Sequence, residues 1–484
     1  MSEEIDVYLP IKEKRLKYKI SQTKLAEASN ITKFNISAWE LKKTVPSDEQ
    51  IEAMDKALDK IIADIQNNKD IRKRRINHTS STPKTLPKTI KTAQDYTKLL
   101  NGRVLNGDNP YKNGLSELYK LARQKKADDA PKAIDLFAGC GGLSLGFAAA
   151  GFNLVGHVEI MDCANKIYEE NFPESQLLGT DICEISDDEI REWKKKFGKI
   201  DIMLGGPPCQ GFSLAGKRDP ADERNRLYRF YVHMISIIEP KVFLMENVQL
   251  LTSMKTPDGS LFIDHIVHDF SEAGYDVHRY EINAADYGVP QTRERIILVG
   301  IRKDENKDFV FPKPGFTSPT ELDSQGSSLF EVKKSWLTFW DATSDLPKLE
   351  SGESSSDPLH WAITHPEHVI NWLKDVPEGH SAHENPDPNM RPPSGFNTTY
   401  KRIVWKEPCS TISTNFSMIS GCRNVHPEQT RSLTIREATR AQSFPDEFVF
   451  TGKWGDIRKV IGNAVPPILA KCIADSVYKQ FFKK

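Results

Sequence analysis

Ile200-Asp-Ile-Met-Leu-Gly-Gly-Pro-Pro-Cys-Gln-Gly-Phe-Ser213 is the stretch that decides the fold. It begins as a short apolar run, Ile200–Leu204, of the kind that becomes a buried strand. The run breaks into Gly205-Gly206-Pro207-Pro208, where glycine permits a tight turn and proline fixes the backbone ahead of Cys209. In an open α/β sheet such a turn lies at the carboxyl end of a strand, where these sheets bind their ligands. A thiol held there is a candidate nucleophile. In isolation, a Pro-Cys pair would read as a tight loop with an inert cysteine.

Outward from this turn, strand-like and helix-like patterns alternate from Ala133 to about Arg302, which predicts a doubly wound α/β domain. Apolar runs at Ala133–Phe137, Asn153–Ile160, Ile200–Leu204, Val242–Met245 and Ile296–Ile301 supply strands, with a helix at Asn225–Glu239. Chemistry-bearing residues fall just past the strand ends. Asp135-Leu-Phe-Ala-Gly-Cys-Gly-Gly-Leu-Ser-Leu-Gly-Phe147 has glycines at 139, 141 and 142, which let a backbone turn closely around a ligand and open a helix. Ser144 replaces the last glycine of a full GxGxxG fingerprint, so the loop alone is a weak nucleotide signal. Glu159 ends the second strand, where an acid can take both ribose hydroxyls, and Asp181 can accept from an adenine amino group. Either acid alone would read as a solvated strand end; along one βαβαβ unit with the glycine loop they form a pattern. Glu246-Asn247-Val248 ends another strand, and a buried strand rarely ends in Glu-Asn without a polar task. Gln291-Thr-Arg-Glu-Arg295 precedes the last strand, and alternation puts residues 291, 293 and 295 on one face. A structural ion pair is the alternative role for Arg293. The polar stretch Gly216–Arg226 is long enough to act as a lid.

The 484 residues suffice for two or three domains. The net charge of -1 means that nucleic-acid binding has to come from local basic patches. The seven cysteines contain no CxxC pair, so no metal site is expected. The first residues lack a signal-peptide core and no apolar run approaches membrane-spanning length, which predicts a soluble cytoplasmic protein without a membrane partner.

Ahead of the α/β region, residues 11 to 62 read as a helical unit. Ser21 caps a helix with Leu25 and Ala26, Asn30 makes a turn, and Thr32 caps a second helix with Ile36 and Trp39 inward. The string SQTKLAEASNITKFNISAWELKKTVPS resembles the phage-repressor-like helix-turn-helix family, whose second helix enters the DNA major groove. That resemblance assigns Gln22, Lys33 and Asn35 to DNA; a helical bundle used only for protein contacts is the alternative. Asn30 stands where the family usually has glycine, a mild departure because Asn tolerates left-handed geometry. From 66 to 130 the chain reads as a basic, partly helical linker, with Arg72, Lys73, Arg74 and Arg75 clustered.

The α/β motifs, in this order, resemble the DNA cytosine-C5 methyltransferase family: DLFAGCGG its cofactor loop, GGPPCQGFS its nucleophile loop, ENV its acid, QTRER its substrate arginines. RSLTIREATRAQSFPDEF (431–448) and GNAVPP (462–467) resemble its last two motifs. The match covers about 133 to 480. It implies an α/β, doubly wound, Rossmann-like S-adenosylmethionine-dependent large domain at 131–302 and a small irregular β-containing target-recognition domain at 303–430. Residues 431–484 would return to the large domain, and the N-terminal all-α helix-turn-helix domain would occupy 1–65.

By the family pattern, S-adenosylmethionine is the cofactor, held by Phe137, Ala138, Gly139, Gly141, Gly142, Glu159, Ile160, Asp181, Ile182, Pro207, Asn463 and Val465. Ile160 stands where many relatives have an aromatic residue against the adenine. Cys209 would add to C6 of a flipped-out cytosine, Glu246 would bond N3 and the exocyclic amine, and Arg293 and Arg295 would complete the catalytic set, Arg295 at O2. Double-stranded DNA would be held by Lys217, Arg218, Arg226, Gln291, Tyr400 and Arg402. Further expectations are a cognate restriction endonuclease acting on the same site, association with the nucleoid, and repression of the chain's own promoter by the helix-turn-helix. Transfer RNA as the substrate, or a regulator with an inactive methylase fold, are the alternatives; Phe212-Ser213 and the intact Cys209, Glu246, Arg293 and Arg295 weigh against them.

Overall fold

Near-continuous burial along the predicted strands builds one sheet with apolar side chains on both faces. The computed structural model describes residues 9–18, 20, 22–40, 44–76, 89–90, 109–208, 227–256, 258–324 and 333–483. The chain divides into two compact units, Met1–Thr85 and Leu86–Lys484.

In the first unit, helices α1 (Leu9–Lys17), α2 (Gln22–Ser29), α3 (Lys33–Glu40) and α4 (Asp48–Ile76) enclose a small core. Leu25, Ile36, Trp39, Met54 and Leu58 are buried in it, the helical spacing read from the sequence. Thr32 Oγ1 accepts from the Asn35 amide at 3.3 Å, the expected cap, and Asn30 adopts φ 57°, the left-handed turn expected of it. Ser21 lies outside the described residues. The helix α4 runs through Ile76, so the Arg72–Arg75 cluster lies on a helix at the start of the segment read as a partly helical linker.

In the second unit seven strands, β1 (Lys132–Leu136), β2 (Asn153–Val158), β3 (Gln176–Gly179), β4 (Ile202–Gly205), β5 (Val242–Val248), β6 (Tyr275–Asn283) and β7 (Glu294–Arg302), lie in the order β3-β2-β1-β4-β5-β7-β6. The first five in sequence are parallel and β7 runs antiparallel to both neighbours. Leu136, Met203, Phe243, Met245, Ile296 and Leu298 point to one face. Ala133, Ile202, Leu204, Val242, Leu244, Ile297 and Val299 point to the other. Alternation along each strand therefore fills two cores, as a doubly wound sheet requires. The strands β3 and β6, which the apolar-run reading misses, are the two sheet edges.

Helices cover both faces: α5 (Pro110–Arg123), α6 (Gly142–Ala149), α7 (Asp162–Asn171), α8 (Asp187–Phe197), α9 (Leu227–Ile238), α10 (Phe262–Glu272), α11 (Ile435–Ala441), α12 (Trp454–Asn463) and α13 (Pro467–Val477). Buried side chains of α8, α9 and α10 join the first core, and those of α6, α7 and α13 the second. The C-terminal segment thus returns to the sheet. Its closest approach is at Gly142, where a Cβ would fall 2.2 Å from the Val465 carbonyl oxygen. Backbone cannot yield as a side-chain tip can, so Gly142→Ala is expected to lower stability by about 1–3 kcal/mol. Equilibrium denaturation of the full chain measures it.

An 18-residue window within Trp454–Phe482 reaches a mean hydropathy of 1.2, against the expectation that no run approaches membrane-spanning length. That window is 61% buried in the fold, and the chain breaks helical geometry between α12 and α13. It is a core element. The described residues of 303–430 are largely irregular, with two-residue strands at Phe316–Thr317, Lys334–Ser335 and Cys409–Ser410. Phe339, Leu359, Ile403 and Ile412 join the main core, while Val369, Leu373, Ala382, Ile419 and Val425 form a small one of their own.

Candidate active site

The sheet order reverses between β1 and β4, the kind of switch point at which open α/β sheets bind their ligands. After β1, Phe137 takes φ 58°, and Gly139 and Gly141 take φ 55° and 92°, a curl that delivers Gly142 to the start of α6. A Cβ on Gly139 would meet nothing within 4 Å, so the loop faces open space there. After β2, Glu159 is buried, and its carboxylate accepts from the Gly139 and Met161 amides, each at 2.8 Å. Burial raises its pKa, and those amide bonds oppose the rise. Ile160 beside it is 67% exposed. Asp181 is half-buried and caps a short turn by accepting from the Cys183 amide at 2.9 Å, while Ile182 is buried.

Beneath this loop lies a network absent from the site expectations. Ser144 Oγ donates to Asp135 Oδ2 at 2.6 Å and meets the Tyr168 hydroxyl at 2.6 Å, and the Tyr168 ring stacks on His157 at 4.0 Å. Burial pushes the Asp135 carboxyl up to about 7. Ser144, the residue that spoils the fingerprint, was the available signal.

Across the switch point, β4 ends at Gly205, and Asn247 Nδ2 donates to the Pro207 carbonyl at 2.9 Å. This bond ties the turn before Cys209 to the end of β5. Cys209 itself, with Lys217, Arg218 and Arg226, lies outside the described residues. In the β5–β7 ladder Glu246 pairs with Ile297 and Val248 with Arg295. Glu246 and Arg295 are therefore diagonal neighbours on one face. They form an ion pair at 2.7 Å, with side chains 11% and 12% exposed. An anion and a fork of donors thus stand together at the rim, shielded from bulk water but reachable.

The other members of the arginine motif are deeper than alternation suggested. Arg293 is 1% exposed, and its Nη1 and Nη2 donate to the carbonyls of Ile412 (3.3 Å) and Gly462 (3.1 Å). Its assignment to the catalytic set is corrected: it ties the 412 segment and the end of α12 to the sheet. Gln291 is fully buried, donating to Ala441 O and Gln442 Oε1 and accepting from the Ile412 amide, so it has no surface for DNA. Arg402 is likewise corrected; it is 3% exposed and clamps the carbonyls of Leu373, His426 and Gln429. Tyr400 is half-buried against Trp372 and His383. Asn463 is exposed at the end of α12, whereas Val465 is buried with its carbonyl against Gly142.

In the helical unit Arg15 holds Glu40 through two bonds of 2.8 and 2.9 Å, and Gln22 Nε2 donates to the same carboxylate at 2.8 Å. Gln22, assigned to DNA by the resemblance, is half-buried and held by Glu40. Asn35 is half-exposed on α3, and the Lys33 side chain lies outside the described residues.

The buried histidines give the fold an acid limit. Burial lowers His157 to about 4 and His426 to about 3. A folded-state pKa below the unfolded value, ~6.5, confers stability present above that value and lost as pH falls through the folded one. Asp135, raised to about 7, has the opposite sign: its contribution is complete below an unfolded value of ~3.9 and fades as pH rises to 7. Melting temperature measured from pH 7.5 downward is expected to fall below about 6, and His426→Gln is expected to flatten that slope.

A family model described as C-5 cytosine-specific DNA methylase matches residues 131–479, and a helix-turn-helix model matches 11–62. Type II methyltransferase M1.HphI of Haemophilus parahaemolyticus is 39% identical over 350 residues, covering 72% of this chain and 86% of that protein. Type II methyltransferase M.DdeI of Desulfomicrobium norvegicum is 32% identical, covering 72% and 88%. A crystal structure from E. coli, of a protein assigned as a DNA modification methyltransferase encoded within a prophage, superposes with TM-score 0.55 at 27% identity. It covers 73% of this chain and 100% of its own. With the glycine loop, its acid and the Glu246–Arg295 pair in place, the chain belongs to the C-5 cytosine DNA methylases, enzymes that use S-adenosylmethionine, and carries a helix-turn-helix domain ahead of the methylase domain.

Proposed function

We propose that this chain methylates C5 of a cytosine flipped out of a specific DNA sequence, through a covalent adduct between Cys209 and C6. The observation that carries the reading is the shielded Glu246–Arg295 pair beside the turn that precedes Cys209. S-adenosylmethionine, when bound, supplies an electrophilic methyl group; the open face of Gly139, the Glu159 carboxylate and exposed Ile160 fit it. Phe137, Asp181, Pro207 and Asn463 complete its surroundings.

The protein's residues act on the base. The Cys209 thiolate adds to C6, which moves an electron pair toward N3 and makes C5 nucleophilic. Glu246 faces N3 and the exocyclic amine and relays a proton to N3 as the electron pair arrives, while Arg295 donates to O2, so charge developing on the ring is met as it forms. C5 then takes the methyl group, forming a carbon–carbon bond as the sulfonium carbon–sulfur bond breaks, and transfer of the C5 proton to water expels the Cys209 thiolate and restores aromaticity. Flipping is required because neither C6 nor C5 is accessible to such groups in a stacked base.

The helix-turn-helix unit is proposed to bind an operator in the chain's own promoter, with a cognate endonuclease sharing the methylase site and both acting at the nucleoid. Salt-resistant preference for promoter DNA over random DNA checks the first part. The main test is tritium transfer from labelled S-adenosylmethionine to unmethylated duplex DNA and to bulk transfer RNA, for wild type and Cys209→Ala. Label in 5-methylcytosine of DNA, abolished in the variant, is expected. Label in RNA alone would replace the substrate, and no label with operator binding intact would make the chain a regulator.

A further inference from the structure

The loop Asn385–Tyr400 carries an apolar side chain that the fold holds out of its core. Phe396 is 79% exposed, the highest value for a large apolar side chain among the described residues. A single exposed ring would need no explanation. Two further apolar side chains stand exposed, Met390 (40%) on the same loop and Met418 (54%) on its neighbour. The Tyr400 amide donates to the Ile419 carbonyl at 3.2 Å, joining the two loops.

The loop is stiff. Asn385 is buried and donates to the carbonyls of Trp372 and Lys374, both at 2.9 Å, while its own carbonyl accepts from Arg391 Nε at 2.9 Å. The Phe396 carbonyl accepts from both the amide (2.8 Å) and hydroxyl (2.9 Å) of Thr399, whose carbonyl accepts from Ser381 Oγ at 2.7 Å. Gly395 takes φ 132°, with the His383 ring 2.9 Å from where a Cβ would sit. Arg391, Lys401 and Arg423 are exposed on the same two loops. The second loop is continuous with the catalytic edge: Thr411 Oγ1 donates to the Thr292 carbonyl at 2.8 Å, and Arg293 holds Ile412.

We propose that Phe396 is a specificity-determining residue that places its ring against the bases of the bound duplex, flanked by Met390 and Met418, with Arg391, Lys401 and Arg423 on the phosphates. A rigid apolar wedge with basic neighbours suits unstacking or a thymine methyl, and ordering it in advance removes an entropic cost of binding. The inference rests on the reading that residues 303–430 recognise DNA.

The experiment compares full-length wild type, Phe396→Ala and Phe396→Trp on an unmethylated plasmid library with random inserts. Bisulfite sequencing gives the methylated motif, initial rates give kcat and KM for DNA, and melting temperature reports the fold. Phe396→Ala is expected to lower kcat/KM at least tenfold, mostly through KM, and to relax one position of the motif at unchanged melting temperature. Phe396→Trp is expected to keep the rate within threefold. The proposal is overturned if Phe396→Ala methylates the same motif within twofold of the wild-type rate, or if it only lowers the melting temperature. A wild type that methylates no DNA cytosine overturns the parent reading as well, and is recognised without any variant.

Discussion

Glu246→Gln is expected to lower kcat for DNA methylation by about 10²- to 10⁴-fold while the melting temperature shifts little. The substitution keeps the shape of the side chain and removes the charge that Arg295 meets at 2.7 Å. If Glu246 acts only as that base becomes charged, kcat and kcat/KM for DNA fall together and KM stays near its wild-type value. A purely structural ion pair would give the reverse, an intact kcat with a lower melting temperature. Arg295→Lys separates charge from geometry. Lysine keeps a cation but loses the planar fork, so a partial loss of activity is expected even though the ion pair can re-form. Single-turnover methyl transfer at saturating DNA, with denaturation curves on the same preparations, decides between the outcomes.

The site was legible where its chemistry coincides with backbone signals. Pro207-Pro208 mark the turn before Cys209, glycines mark the cofactor loop, and Glu246 interrupts an otherwise apolar strand. Asn30 was read as a left-handed turn on residue type alone, and it takes φ 57°. The misreadings share one cause. Alternation tells which face of a strand a side chain leaves from, but not how much chain lies over that face. Gln291 and Arg293 leave the expected face, yet the segment around Ile412 covers both. Arg402 looked like a DNA contact because charged residues are mostly exposed, and nothing local announced the four carbonyls that accept from it. The edge strands β3 and β6 were invisible for a related reason: each pairs on one side only, so its sequence need not be apolar throughout.

The largest stability effect is expected from a segment whose charged residues the fold buries. In RSLTIREATRAQSFPDEF, Arg431, Arg436 and Arg440 are all fully buried. Arg431 forks onto Glu437 with two bonds of 2.8 Å, and Arg436 Nε meets Asp357 at 2.7 Å. Arg440 grips both oxygens of Asp446 at 2.9 and 2.8 Å, and reaches Asp345 at 2.5 Å. Its carbonyl accepts from the Tyr111 hydroxyl at 3.0 Å, so α5 is fastened to the same knot from outside the family match. Asp345 and Asp357 lie 95 and 79 residues before their arginines, too far for any local pattern to pair them. Arg440→Met would leave two carboxylates buried without their main partner, a loss of about 3–5 kcal/mol. Adding Asp345→Asn is expected to recover part of that loss, because it removes the charge that Arg440 meets at 2.5 Å while Asn109 can still donate to the amide oxygen. Denaturant midpoints of the two single variants and the double variant test this. A double variant as unstable as the sum of the singles would mean that the arginine acts by filling space, not by neutralising the acids it touches.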